Sequence, residues 1–186
     1  MIQGQTLYSN RDISDTMLKI HKKIIKEAVD EKKKDPKVVS ILLFGSLARG
    51  TAHKKSDVDI EIIYDGGRYR DISEKRYGIK VDFEFWPKNK LLKRIEKYPF
   101  LSYPYLEEKI LYDPTGFAKE IKDKLRAYFK KNPAALREWK KWTKKYLEFK
   151  KKGIERADME KIKECKDFYD KLEIKFSKEH KVTRGF

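Results

Sequence analysis

The run Val38-Val39-Ser40-Ile41-Leu42-Leu43-Phe44 constrains this chain most. It is β-branched and apolar but for one serine, and it has the length of a strand. Such a run reads as a strand buried on both faces. It stops at Gly45-Ser46. Leu47-Ala48-Arg49-Gly50 then reads as one short helical turn closed by glycine, and a polar loop runs from Thr51 to Ser56. From Asp57 to Tyr64 acids alternate with apolar residues, the pattern of a strand with one wet face. Asp65-Gly66-Gly67 is a turn. Gly78 to Trp86 predicts a third strand, with Ile79, Val81, Phe83 and Phe85 on one side and Asp82 and Glu84 on the other. A fourth short strand is expected at Lys109–Tyr112, before the turn Asp113–Gly116.

Helices are expected around these strands. Ser14 to Lys34 carries apolar residues at near-helical spacing, with Ser14 as a candidate N-cap and Asp35-Pro36 as the stop. Tyr69 to Arg76 reads as a loop or short helix, and Lys90 to Lys97 as a helix. From Phe117 the pattern is helical: Phe117–Lys131, then Pro133–Lys152 opened by Asn132-Pro133 and stopped by Gly153, then about Arg156 to Phe176.

Charge separates the chain into two parts. Of 186 residues, 46 are Lys or Arg and 30 are Asp or Glu, giving a formal net charge of +16. Residues 1–114 hold 23 basic and 18 acidic side chains; residues 115–186 hold 23 and 12, a net of +11. A boundary at 114/115 is therefore expected, with a basic helical domain over 115–186. A basic surplus attracts nucleic acid, nucleotides or anionic membranes. Aromatics at 13% provide enough bulk for a core and argue against wholesale disorder. No run approaches the ~18 apolar residues of a membrane span, and the first residues lack a signal-peptide layout. The single cysteine, Cys165, excludes an internal disulfide framework and a Cys-based zinc cluster. These features predict a soluble, cytoplasmic protein. The abundance of Lys and Glu beside scarce Asn and Gln is the bias of thermophile proteins.

One stretch carries chemistry. Gly45-Ser46 sits where a strand meets a short helix, so phosphate oxygens can approach the backbone and the serine hydroxyl can donate to them. After ten intervening residues, Asp57 and Asp59 fall on one face of the next strand. Two neighbouring carboxylates repel unless a cation lies between them, and oxygen-only ligands favour Mg²⁺. Asp82, on the polar face of the third strand, would complete a cluster of three acids if its strand lies beside Asp57–Asp59. Glu84 shares that face and competes with it. Three carboxylates with two Mg²⁺ suit in-line displacement at phosphorus.

Gly45-Ser46-x10-Asp57-Val58-Asp59, followed by Val81-Asp82-Phe83, resembles the DNA polymerase β-type nucleotidyltransferase superfamily, above all its small prokaryotic and archaeal minimal members. The resemblance covers roughly residues 38–114. It implies an α+β fold, a mixed β-sheet flanked by helices. It implies Mg²⁺-dependent transfer of a nucleoside monophosphate from an NTP, ATP first, to a hydroxyl with release of pyrophosphate. Asp57, Asp59 and Asp82 would hold metal, Asp82 would also deprotonate the acceptor, and Gly45 and Ser46 would bind phosphates. Residues 1–114 would be the catalytic domain, and the basic helices of 115–186 would recruit an anionic acceptor such as RNA.

Other readings stand beside these. Arg49, Lys54 and Lys55 flank the phosphate turn and either meet phosphates or line an exposed loop; Arg49 and Ser56 are counted with the nucleotide-binding set. Glu61 continues the Asp59 face as an exposed acid. His21 and His180 read as surface residues. Leu136, Trp139, Trp142 or Thr143, Tyr146 and Phe149 recur at helical spacing and read as a core stripe, with the intervening lysines wet. The fold could also serve as a non-catalytic nucleotide-binding module, as the partner of a helical toxin, or as an adenylyltransferase acting on a protein or small molecule.

Overall fold

The computed structural model describes residues 10–97 and 99–152. The strands are β1 (Val38–Phe44), β2 (Val58–Tyr64), β3 (Arg70–Arg76), β4 (Ile79–Pro87) and β5 (Lys109–Tyr112). They form one sheet in the order β3-β4-β2-β1-β5. β1 runs antiparallel to both β2 and β5, β2 runs parallel to β4, and β3 runs antiparallel to β4. The architecture is therefore α+β with a mixed sheet, as the resemblance implied.

α1 (Asn10–Lys32) covers one face of this sheet. Its Ile24 and Ala28 are fully buried in one core with Ile41 and Leu43 of β1, Val58, Ile60 and Ile62 of β2, and Val81 and Phe83 of β4. These strand residues share a face because side chains alternate. The opposite face carries Asp59, Glu61, Asp82 and Glu84. So the apolar half of each strand anchors α1, and the acidic half is turned away from it.

Several expectations change. β2 has no wet face: its burial pattern leaves no residue of Val58–Tyr64 exposed. Glu61 is only 4% exposed, not a solvated acid. His21 is buried, with Nε2 3.0 Å from the Ser56 carbonyl oxygen. It lies one turn before Ile24 on α1 and so shares its inward face. α1 starts at Asn10, which puts Ser14 inside the helix rather than at its N-cap.

The segment expected to be a loop or short helix is strand β3. Its sequence, Arg-Asp-Ile-Ser-Glu-Lys-Arg, has a single apolar residue and shows no alternation. An edge strand needs none: Ile72 itself is 46% exposed. What folds β3 onto β4 is the two-residue turn Tyr77-Gly78, with φ of 53° and 80°. Positive φ at both central residues is the hairpin geometry that matches strand twist. The hairpin is tied to α1 by the Tyr77 hydroxyl, which donates to Glu27 at 2.8 Å, and by Arg76, whose guanidinium donates to Glu31 at 2.7 Å.

The other strands fall where expected, as do α5 (Phe117–Lys131) and α6 (Pro133–Lys151). Asp113 fixes the turn before α5, accepting from the buried Ser40 hydroxyl of β1 at 2.7 Å and from the Ala118 N–H at 3.2 Å.

The chain forms two compact units. One comprises residues 1–88 and 107–118 and holds the sheet. The other comprises residues 89–106 and those from 119 onward, so the helical unit takes in the segment between β4 and β5. That segment holds most of α3 (Lys88–Lys97), a 3₁₀ turn at Pro99–Ser102 and most of α4 (Pro104–Glu107). Within the helical unit Tyr103 packs its ring 5.2 Å from Phe129 and 4.6 Å from Trp139. Trp139 thus sits among aromatics as a core stripe requires, while Lys140, Lys141 and Lys144 are exposed. The side chains of Trp142, Tyr146 and Phe149, the helix expected at Arg156–Phe176, Cys165 and His180 lie outside the described residues. Among the described residues no helix is long and apolar enough to cross a membrane.

Two isoleucines separate core from edge. Ile24→Ala should cost about 2–5 kcal/mol, since it opens a cavity under a fully buried side chain. Ile72→Ala should cost no more than about 0.5 kcal/mol. Urea unfolding of both variants measures the contrast.

Candidate active site

The site begins where β1 ends. Gly45 turns the chain with φ of +72° into the five-residue helix α2 (Gly45–Arg49). A Cβ placed on Gly45 would lie 1.9 Å from Asp59 Oδ2. Glycine is thus required twice here, for the left-handed backbone and for the space taken by a carboxylate. Gly50, at φ 71°, closes α2, and the Thr51 N–H donates to the Ser46 carbonyl at 3.0 Å. Ser46 is half-buried and Arg49 is exposed in the last turn of α2.

The following loop is fastened from inside. The Ser56 hydroxyl accepts from the His53 N–H at 2.8 Å, and the Ser56 N–H donates to the His53 carbonyl at 2.8 Å. Ser56 is buried, and the His21 ring meets its carbonyl. The structure therefore places Ser56 as the fastening immediately before Asp57. Lys54 and Lys55 are exposed.

The parallel pairing of β2 with β4 sets the acids. Asp59 stands opposite Asp82, and Glu61 opposite Glu84. Of the two competing acids, Asp82 is the register partner of Asp59. The Asp59 carboxyl is pushed up to about 6, first by burial, then by the charges of Asp82 and Asp57; Lys80 opposes the shift. All three acids are half-buried. Gly45, Asp57, Asp59 and Asp82 thus converge on one end of the β1–β2–β4 strands.

Asp82 has two partners of its own. The Ser73 hydroxyl on β3 donates to its Oδ1, and Lys80 Nζ lies 2.7 Å from its Oδ2. Lys80 is held above the ordinary lysine value, first by this hydrogen bond, with the charges of Asp82, Asp57 and Asp59 adding to it. Glu84 accepts from the Trp86 indole N–H at 3.1 Å, and the lysine is on Asp82. Lys80 could have been found from its place two residues before Asp82 on the same strand face. Ser73 could not, because its strand shows no pattern.

Among the described residues, no three His, Cys, Asp or Glu side chains are gathered tightly enough to cage a metal ion as they stand. The donor chemistry nevertheless suits one. The acids offer only oxygen, as Mg²⁺ prefers. Ionisation of Asp59 is disfavoured by burial and two like charges, and a cation would relieve that repulsion.

Residues 22–182 match the family profile described as "Nucleotidyltransferase domain". The chain is 40% identical over 75 residues to "Putative protein adenylyltransferase MJ1379" of Methanocaldococcus jannaschii, covering 36% of this chain and 68% of that protein. It is 32% identical over 119 residues to "Putative protein adenylyltransferase MJ1305" of the same organism, covering 56% and 80%. A solved nucleotidyltransferase-like protein from Exiguobacterium sibiricum 255-15 overlays with a TM-score of 0.47 at 11% identity, over 57% of this chain and 38% of that one.

Two outcomes follow from this geometry. Gly45→Ala forces a left-handed alanine, at roughly 1–2 kcal/mol, and drives its methyl into the Asp59 carboxylate. It should lower both the melting temperature and nucleotidyl transfer, read by calorimetry and by label transfer. Asp59→Asn should raise the melting temperature in metal-free buffer at pH 8. A carboxyl with a raised pKa disfavours the fold when ionised, and the penalty fades as pH falls through about 6 toward its ordinary value near 3.8. The gain over wild type should therefore shrink between pH 7 and pH 4 in a series of thermal melts.

Proposed function

Since the chain belongs to the nucleotidyltransferase-domain family and is a nucleotidyltransferase, we propose that it moves the AMP of ATP onto a protein hydroxyl with the help of Mg²⁺, releasing pyrophosphate. The observation that carries this reading is the register of β2 and β4, which sets Asp82 opposite Asp59 beside Asp57. The adenylyl group and the protein acceptor draw support from the printed names of the two archaeal relatives.

The reaction is displacement at the α-phosphorus. A bond forms from the acceptor oxygen to phosphorus, the bond to the β-phosphate bridging oxygen breaks, and pyrophosphate departs. Asp82 takes the acceptor's proton. Gly45 and Ser46 meet the β- and γ-phosphates, where a glycine backbone lets oxygens approach and a hydroxyl donates. Asp57, Asp59 and Asp82 would hold Mg²⁺, which supplies charge neutralisation for the triphosphate and activation of the attacking hydroxyl. Arg49 and Ser56 complete the nucleotide-binding set, Arg49 through its exposed guanidinium and Ser56 by anchoring the loop before Asp57. The unmet charge on Asp59 makes the site ready for a cation.

A second acceptor, RNA, is favoured by the 23 basic against 12 acidic residues of 115–186. Family membership leaves the non-catalytic readings without support.

ATP labelled at the α-phosphate, incubated with the enzyme, Mg²⁺ and a cell extract, separates the acceptors. Label that survives RNase and is lost to protease is expected. The reverse pattern makes RNA the acceptor, and no label in either fraction overturns nucleotidyl transfer to a macromolecule. Asp57→Asn should reduce incorporation by at least about 100-fold, the scale of losing one preorganised charge at a transition state.

A further inference from the structure

Ser73 has no role in the family pattern, yet its placement is specific. The sheet register lines up one row of residues across four strands. Phe44, next to the phosphate turn Gly45-Ser46, pairs with Asp59; Asp59 pairs with Asp82; Asp82 pairs with Ser73. Paired residues lie on one face, and neighbouring strands are ~4.8 Å apart. Along this row the order is phosphate turn, first acid, second acid, hydroxyl.

In-line displacement needs that order. The leaving pyrophosphate and the attacking oxygen must lie on opposite sides of the α-phosphorus. With the β- and γ-phosphates over Gly45-Ser46 and the α-phosphate over Asp59 and Asp82, the attacking oxygen belongs on the far side of Asp82. Ser73 is there. Its hydroxyl donates to Asp82 Oδ1, so its proton already points at the acid that would take it. The residue is exposed on an edge strand, and among the described residues no further strand lies beyond it in the sheet. Lys80, at the other oxygen of Asp82, puts a cation beside the spot where the phosphate would pass.

We propose that Ser73 is a self-modification site, adenylylated by the chain's own active centre. The inference rests on the nucleotidyl-transfer reading above. The Ser73 oxygen bonds to the α-phosphorus of ATP, the bond from that phosphorus to the pyrophosphate oxygen breaks, and the hydroxyl proton passes to Asp82. The product is an AMP phosphodiester on Ser73 plus pyrophosphate. No other reactant is needed.

The test uses the full chain with ATP and Mg²⁺ and no other acceptor. Intact mass should show the gain of one adenylyl group per chain, and peptide mapping should place it on Ser73. The fraction modified per unit time should not depend on protein concentration, as expected for a reaction within one molecule. Ser73→Ala should abolish the gain, Ser73→Thr should keep it, and Asp57→Asn should abolish it with Ser73 intact. An adenylyl group mapped to another residue, such as the exposed Tyr69 or Tyr77, overturns the proposal, as does a rate that rises with protein concentration. A parallel incubation with cell extract keeps the two readings apart. If label reaches extract macromolecules while Ser73 stays unmodified, the self-modification fails and the transfer reading stands. If label goes nowhere, both fall.

Discussion

The parallel pairing of β2 with β4 is the constraint on which the site depends. Antiparallel neighbours could be joined by a simple hairpin, but a parallel pair needs a crossover. Here the chain leaves β2, passes beyond β4 to form β3, and returns through the Tyr77-Gly78 turn. The result is a register in which Val58, Ile60 and Ile62 align with Val81, Phe83 and Phe85, while Asp59 and Glu61 align with Asp82 and Glu84. The apolar set is sealed under α1. A slip of one residue would turn every side chain of β4 to the other face, burying Asp82 and Glu84 against α1. Hydrophobic burial therefore selects the register, and the register sets one acid opposite another.

That arrangement is electrostatically unfavourable by itself, and the strain is unevenly shared. Asp82 is stabilised by Lys80 and Ser73. Asp59, crowded against Gly45, has its carboxyl raised by burial and by both neighbouring acids. Buried like charges of this kind are characteristic of sites built for a cation or for proton transfer rather than for stability. The absent Gly45 side chain is what makes the crowding possible. The same residue therefore serves the turn and the acid.

Much of this was legible in the sequence, for a physical reason. Val38–Phe44, the Asp57–Tyr64 and Gly78–Trp86 alternations, and the Asn132-Pro133 helix start are local signals, and local signals survive in one dimension. The β5 segment and α5 were equally plain. What was illegible depends on neighbours. β3 has almost no apolar pattern because it is an exposed edge, held by its ladder with β4 and by polar ties to α1. Glu61 and His21 look solvated by residue type and are buried only in the folded chain, His21 because it lies on the inward face of α1. Ser73 is invisible for the same reason as its strand. Which of Asp82 and Glu84 faces Asp59 is a matter of register, and no spacing within β4 could decide it.

The charge of the chain separates in the same way. β2 and β4 gather their acids on one face, while most of the surplus of lysine and arginine, +11 of +16, lies in residues 115–186. An acidic centre by itself repels a triphosphate and attracts a cation, so under the proposed reaction a cation would offset the acids for the nucleotide. Lys80 is the one cation the sheet sets directly on these acids among the described residues, and its hydrogen bond to Asp82 opposes the repulsion without removing it, because Asp59 remains raised. A lysine that fully compensated the trio would leave no reason for a divalent ion to bind. One that were absent would leave three like charges uncompensated at the neighbouring ends of β2 and β4 and a less stable sheet. The partial compensation seen here keeps the fold intact while leaving unmet charge on Asp59, the carboxylate packed against Gly45.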